Sequence, residues 1–151
     1  MSKMEIRIKK LVPEAVVPFK SHEDDFCYDV VAVSEIEVAP NVWKYGLGFA
    51  LQIDMSKAWS PNTRFSIDLR PRSSVWKTGM VLSNCEGTID EGYTGEISAV
   101  FYHVMPEMPR YKVGDKIGQI KLGSTVPLKF VEVDELSETD RGAGGYGSTG
   151  K

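Results

Sequence analysis

Apolar residues alternate with polar ones along most of the chain instead of recurring at three- and four-residue intervals. Met4, Ile6 and Ile8 form one such set, Ile36 and Val38 a second, Leu47, Phe49, Leu51 and Ile53 a third, and Phe65, Ile67 and Leu69 a fourth. Successive side chains of an extended strand point to opposite faces, so this period predicts strands with one buried face. Residues 97–104, 117–122 and 128–133 are further predicted strands, each bounded by Gly, Pro, Asn or Asp. Only residues 74–77 with their flanks, and 55–59, are allowed a helical turn or two. Many short strands with turn signals between them predict an all-β fold, a distorted antiparallel barrel or a jelly roll. No internal repeat is visible.

The pattern stops near residue 138. Beyond it the chain is rich in glycine, with one aromatic and no apolar run, so it cannot add a strand to a core. The expected organisation is one β domain over residues 1–138 and a flexible C-terminal arm over 139–151. A length of 151 residues, 42% hydrophobic and 26% charged, agrees with a single core. The net charge of -3 argues against a surface that binds long nucleic acid and leaves room for a small phosphorylated ligand. No stretch from Met1 to Lys10 has the apolar run of a signal peptide, and no run can span a bilayer. These features predict a cytoplasmic protein with no membrane partner. Cys27 and Cys85 form no CxxC pair and read as packing residues. His22 and His103 have no ligand spacing, so a protein-caged transition metal is not expected.

Two glycine patterns in the arm mislead. Residues 142–147 fit GxGxxG, and residues 145–151 fit most of a phosphate-binding loop. The first needs a strand before it and a helix after it. The second needs the same helix and a Ser or Thr after the lysine. Neither context is present.

Five segments remain: Tyr28-Asp29-Val30-Val31-Ala32; Pro71-Arg72-Ser73-Ser74-Val75; Asn84 with Gly87-Thr88-Ile89-Asp90-Glu91-Gly92-Tyr93-Thr94-Gly95-Glu96; Gly114-Asp115-Lys116-Ile117-Gly118-Gln119; and Arg141-Gly142-Ala143-Gly144-Gly145-Tyr146-Gly147-Ser148-Thr149-Gly150. In this order and spacing the chain resembles the homotrimeric dUTPases over nearly its whole length. The third and fifth segments are the specific ones. The resemblance implies hydrolysis of dUTP to dUMP and pyrophosphate, which removes dUTP and supplies dUMP for thymidylate synthesis. It also implies a dUTPase-like β-clip form of the barrel.

In the third segment strand-like residues run into Asp90-Glu91-Gly92-Tyr93, where Gly92 can supply the positive φ of a tight hairpin turn and Tyr93 begins the return strand. An exposed strand end offers backbone donors and acceptors in fixed geometry, able to read the edge of a pyrimidine. By resemblance, main-chain groups of Gly87, Thr88 and Ile89 and those around Ser98, with the Asn84 amide, hold uracil and leave no room for a thymine methyl. Tyr93 packs under the sugar and excludes a 2′-hydroxyl. Asp90 is the expected general base, taking a proton from the water that attacks the α-phosphorus. Alone, an Asp in such a turn reads as its cap.

A triphosphate demands cations and donors that follow its charge. The resemblance assigns these to Arg72, Ser73, Ser74 and Gln119, with Mg2+ held by phosphate oxygens and waters. No residue is expected to bind the metal directly; Asp29 either meets its waters or braces the site. The arm is expected to order over bound ligand at a site on another subunit. The resemblance implies that Tyr146 stacks on uracil and that Arg141 and the hydroxyls of Ser148 and Thr149 hold the terminal phosphates, with Gly147 a further substrate-binding residue. Shared sites imply a C3 homotrimer.

The sequence departs from the family at Cys27, Glu86, Gly92, Lys116 and Gly118, and Glu86 places an extra carboxylate near the base. Two rival readings exist. The dCTP deaminases share the turn, but their catalytic glutamate falls here on Val100. A regulatory module, binding a protein partner in response to nucleotide, could use the span from Trp59 to Asn62, the exposed-looking Trp43 and Trp76, and the acidic stretch from Glu132 to Asp140.

Overall fold

The structure is a computed structural model that describes residues 3–58 and 61–150. Among them are nine strands: β1 (Ile6–Lys10), β2 (Tyr28–Val31), β3 (Ser34–Ala39), β4 (Val42–Ile53), β5 (Arg64–Arg70), β6 (Met80–Leu82), β7 (Gly87–Asp90), β8 (Glu96–His103) and β9 (Lys116–Thr125). Two 3₁₀ turns, Met55–Lys57 and Ser73–Thr78, are the helical pieces that the apolar pattern permits. Trp59 lies outside the described residues, as do Met1, Ser2, Ser60 and Lys151. No helix among the described residues is long and apolar enough to cross a membrane.

One sheet runs β1-β4-β8-β6, with β3 also paired to β4; the other runs β2-β9-β5-β7. Every pairing is antiparallel. This is the jelly-roll alternative, because no strand joins the two sheets into a closed barrel among the described residues. The core lies between the inner faces. Leu47, Phe49, Leu51 and Ile53 of β4, Phe65, Ile67 and Leu69 of β5, and Ile97 and Phe101 of β8 are all buried. Tyr45 donates from its hydroxyl to the Tyr111 carbonyl at 2.6 Å and packs edge-on to Phe101 at 5.9 Å between ring centres.

A bulge in β4 shapes the start of β8. The register between the two strands shifts between Gly46 and Ala50, and Gly48 sits in the bulge at φ 72. A Cβ there would stand 2.6 Å from Val12 and 2.7 Å from Val33, so both backbone and space require glycine. The freed Gly48 N–H donates to Glu96 Oε1 at 3.1 Å.

Several expectations change. Residues 128–133 form no strand: the chain leaves β9 at Thr125 and runs on with Leu128, Phe130, Val131, Val133 and Leu136 exposed. A strand needs a ladder partner, and the described residues of this chain offer that segment none. Ile36 and Val38 do lie in β3, but on its exposed side. Gly92 has no positive φ, and a Cβ built on it would meet nothing within 4 Å. Trp43 is half-buried, with the Arg110 guanidinium stacked 3.6 Å from its ring centre. Trp76 is exposed as expected.

Candidate active site

β7 and β8 follow one another in the chain, yet they do not pair. β7 is the edge of one sheet, and β8 is an inner strand of the other. The expected hairpin therefore splays at its base, and a cavity of about 210 Å³ opens between its arms. Thr88, Ile89, Asp90, Tyr93, Glu96, Ile97 and Ser98 line it. β6 pairs with β8 only opposite Phe101, Tyr102 and His103, so among the described residues the stretch of β8 from Glu96 to Ala99 has no strand on that side. Among those residues β7 likewise pairs only with β5. The slot is thus bordered by two strand edges, whose backbone donors and acceptors need partners.

The turn at its mouth is pinned from several directions. Tyr93 N donates to the Asp90 carbonyl at 3.0 Å, and the Tyr93 hydroxyl donates to the Glu96 carbonyl at 3.0 Å. Glu91 forms an ion pair with Arg64 and accepts the Phe65 N–H at 3.1 Å. That ties the turn to the start of β5, where Ser66 stands opposite Asp90. Behind the slot, Asp68 on β5 accepts from Ser66 Oγ at 2.7 Å and Lys121 Nζ at 2.9 Å. Burial alone would push the Asp68 carboxyl up, but those two hydrogen bonds and the positive charges of Lys121 and Arg70 together outweigh it and hold the group below the usual carboxylate range.

A second cluster gathers at the opposite end of β5. Asp29 on β2 stands opposite Gln119 on β9, which stands opposite Arg70. Its carboxylate lies 3.4 Å from Arg72 Nε and 3.2 Å from Lys116 Nζ. Gln119 Nε2 donates to the Pro71 carbonyl at 3.2 Å, and Arg72 Nη1 approaches Ser74 Oγ at 3.5 Å. Ser73 opens the adjacent 3₁₀ turn. Two cations share one carboxylate, so the cluster carries net positive charge suited to an anionic group.

The family model for dUTPase matches residues 14–150. The chain belongs to the dUTPase family. It is 34% identical to the deoxyuridine 5'-triphosphate nucleotidohydrolase of Nautilia profundicola over 98% of this chain and 100% of the other. To the enzyme of the same name from Clostridium novyi it is 38% identical, over 97% of this chain and 99% of the other. Among solved structures, the dUTPase of Staphylococcus bacteriophage 80alpha with dUPNHPP superposes with a TM-score of 0.78 at 21% identity, over 97% and 99% of the two chains. That likeness speaks for the fold. Family and relatives together make dUTP hydrolysis the reaction of this dUTPase.

Within one chain of this dUTPase the expected site residues fall into four groups. Asp90, Tyr93, Thr88, Ile89 and Ser98 meet in the slot. Asn84 and Gly87 sit beside one another at the far end of β7 and do not line it. Asp90 stands opposite Ser66, whereas Arg72 lies beyond Arg70, four residues further along β5. At roughly 3.3 Å per residue that is more than about 13 Å. The base and the cationic cluster are therefore not brought together within one chain. The fourth group, Arg141, Tyr146, Gly147, Ser148 and Thr149, makes only local bonds among the described residues, such as Arg141 Nε to the Gly144 carbonyl at 2.8 Å and Ser148 N to the Gly145 carbonyl at 3.0 Å.

Glu86 does not crowd the base. It lies at the distant end of β7 and binds Arg70 Nε at 2.9 Å, which raises the Arg70 pKa. Sequence reasoning missed Glu96 as a wall of the slot, Glu91 as the anchor of the turn and Lys116 as the second cation on Asp29. A carboxylate beside the Asp90 turn was a visible signal for Glu91. Glu96 depends on the β4 bulge, which no local pattern announces.

Proposed function

We propose that this dUTPase converts dUTP to dUMP and pyrophosphate at sites shared between copies of the chain, with Asp90 as general base and Mg2+ as cofactor. The observation that carries the reading is the splayed slot with Asp90 and Tyr93 at its mouth. Unpaired edges of β7 and β8 supply backbone groups that can pair with the uracil edge, and the narrow space between them excludes a 5-methyl group. Tyr93 lies where the sugar leaves the slot. Asp90 accepts a proton from water as the water oxygen bonds to the α-phosphorus. The bond from that phosphorus to the bridging oxygen breaks, and its electron pair departs with pyrophosphate. A positioned base of this kind is worth roughly 10²–10⁴-fold in rate.

The phosphates need a cationic partner, and the Asp29–Arg72–Lys116 cluster of the same protomer is too far away. A neighbouring copy places its own Arg72, Ser73, Ser74 and Gln119 against the slot, and a closed C3 trimer satisfies all three sites equally. The exposed apolar run from Leu128 to Leu136 supports exchange of the arm onto another copy, carrying Arg141, Tyr146, Ser148 and Thr149 over the ligand. No group of three His, Cys, Asp or Glu side chains comes together to cage a metal among the described residues. The Asp29 carboxylate, beside Arg72 and Lys116, could accept from the waters of a magnesium ion held by phosphate oxygens. When bound, magnesium supplies neutralisation of the phosphate charge.

The test is pyrophosphate release from dUTP, dCTP, dTTP and UTP, with and without Mg2+, by the native chain and Asp90→Asn. Release confined to dUTP, lost with chelator and largely lost in the variant is expected. A folded, assembled protein that releases no pyrophosphate from dUTP overturns the reading.

A further inference from the structure

We infer that Gly95 sets the sugar specificity of the slot by seating the Tyr93 ring. This rests on the slot being the deoxyuridine site. Gly95 touches no substrate in this arrangement; it is a positioning residue that acts through Tyr93.

A Cβ built on Gly95 would stand 2.6 Å from the Tyr93 hydroxyl oxygen, 2.8 Å from Cζ and 3.2 Å from Cε2. The phenol end of Tyr93 therefore lies directly against the glycine Cα, closer than any side chain would permit. The hydroxyl is then fixed by its bond to the Glu96 carbonyl, while Tyr93 N is fixed by the Asp90 carbonyl. Glu96 is itself held, because its carboxylate accepts the Gly48 N–H across the β4 bulge and the residue pairs with Ala50. A path of contacts thus runs from the tyrosine ring through Glu96 into an inner strand of the sheet.

Rejecting a substrate for one extra hydroxyl demands such a wall. A pocket that can yield discriminates weakly against an added hydroxyl, because the wall moves aside. An aromatic ring on an exposed turn would move readily; one pressed on glycine and bonded at both ends does not. The requirement at position 95 is one of space, since Gly95 is not among the residues with positive φ. Alanine is acceptable to its backbone and unacceptable to the ring. Gly92, in the same turn, also lacks a positive φ and faces open space, so the same methyl there meets no neighbour.

The experiment compares kcat/KM for UTP and dUTP in the native chain, Gly95→Ala, Tyr93→Phe and Gly92→Ala, alongside melting temperature and assembly state. Gly95→Ala is expected to raise the UTP-to-dUTP ratio about tenfold, chiefly through KM. Tyr93→Phe cuts the bond to Glu96 without adding bulk and moves the ratio the same way by less. Gly92→Ala leaves the ratio unchanged. Joining Gly95→Ala to Tyr93→Phe gives less than the product of the two effects, because both release the same ring. A native ratio in a folded, assembled Gly95→Ala protein overturns the inference. Should that variant fail to fold, a native ratio in Tyr93→Phe does the same. An inactive native chain sinks the function reading, whereas an active one with an unmoved ratio sinks only the seat.

Discussion

The slot and the arm are both parts of one proposed site, and they are built on opposite terms. Around the slot three side chains are tied back to the strands: Tyr93 to the Glu96 carbonyl, Glu96 to Gly48 N, and Glu91 to Phe65 N. Along residues 139–150 the hydrogen bonds are all local, and Gly142, Tyr146, Gly147 and Gly150 adopt positive φ. The contrast separates two tasks. Telling one nucleoside from another needs walls that do not move, and a single protomer can supply them from strands. Closing over a ligand needs a segment free to leave, whose ordering cost falls due only when ligand and neighbouring copy are present.

The largest effect expected from that division falls on the slot. Asp90→Asn keeps the shape of the turn and removes the base, so kcat for dUTP should fall by roughly 10²–10⁴-fold while dUMP binding stays near native. Single-turnover kinetics with calorimetric titration of dUMP would check both halves. A loss of dUMP affinity matching the loss of rate would show that Asp90 builds the slot instead of working in it. Removing residues 139–151 should cost about 10²-fold in dUTP turnover, as misplaced phosphates do, and leave dUMP affinity within about threefold. If truncation abolishes dUMP binding, the arm is part of the recognition surface and the contrast collapses.

Much of the slot's surroundings was legible in the chain, and the reason is local. The alternation at Leu47 to Ile53 and at Phe65 to Leu69 encodes which face is buried, and those strands stand where the period puts them. Asp90 and Tyr93 share the cavity mouth because four consecutive residues in a turn cannot be far apart. Residues 128–133 misled because alternation reports the capacity to form a strand and says nothing about a partner. The splay of β7 from β8 was equally invisible. It depends on β7 pairing with β5 and β8 with β4, contacts between segments distant in the chain. The same long-range pairing puts Asp90 and Arg72 toward opposite ends of β5, a separation that the order of the motifs along the chain does not encode.

A smaller effect tests whether the slot is rigid because the sheet behind it is. Asp68 is buried with Lys121 half-buried beside it, so Asp68→Asn leaves an ammonium without its counter-charge. The expected loss is about 2 kcal/mol of stability at pH 7. Because Asp68 has a lowered pKa in the folded chain, its contribution is complete above the unfolded value of about 3.9 and is lost as pH falls through the folded one. Melting curves of native and variant chains should therefore differ at pH 7 and begin to converge only as the pH falls below about 3.9. A gap that persists unchanged at lower pH would mean the charge of Asp68 is not what holds the sheet.

The smallest effect concerns Glu91. Arg64 is mostly exposed, and an ion pair with one partner in solvent contributes little, so the more valuable bond is the one Glu91 accepts from Phe65 N. Glu91→Gln keeps an oxygen for that bond and should raise KM for dUTP only about twofold, whereas Glu91→Ala frees the turn and should raise it about tenfold. The informative measurement is the same pair of substitutions in the chain that lacks 139–151. Two devices that work separately give effects that multiply, so the factors should be the same with and without the arm. If Glu91→Ala costs much less once the arm is gone, then the turn is positioned for the arm to close upon, and slot and arm are one device.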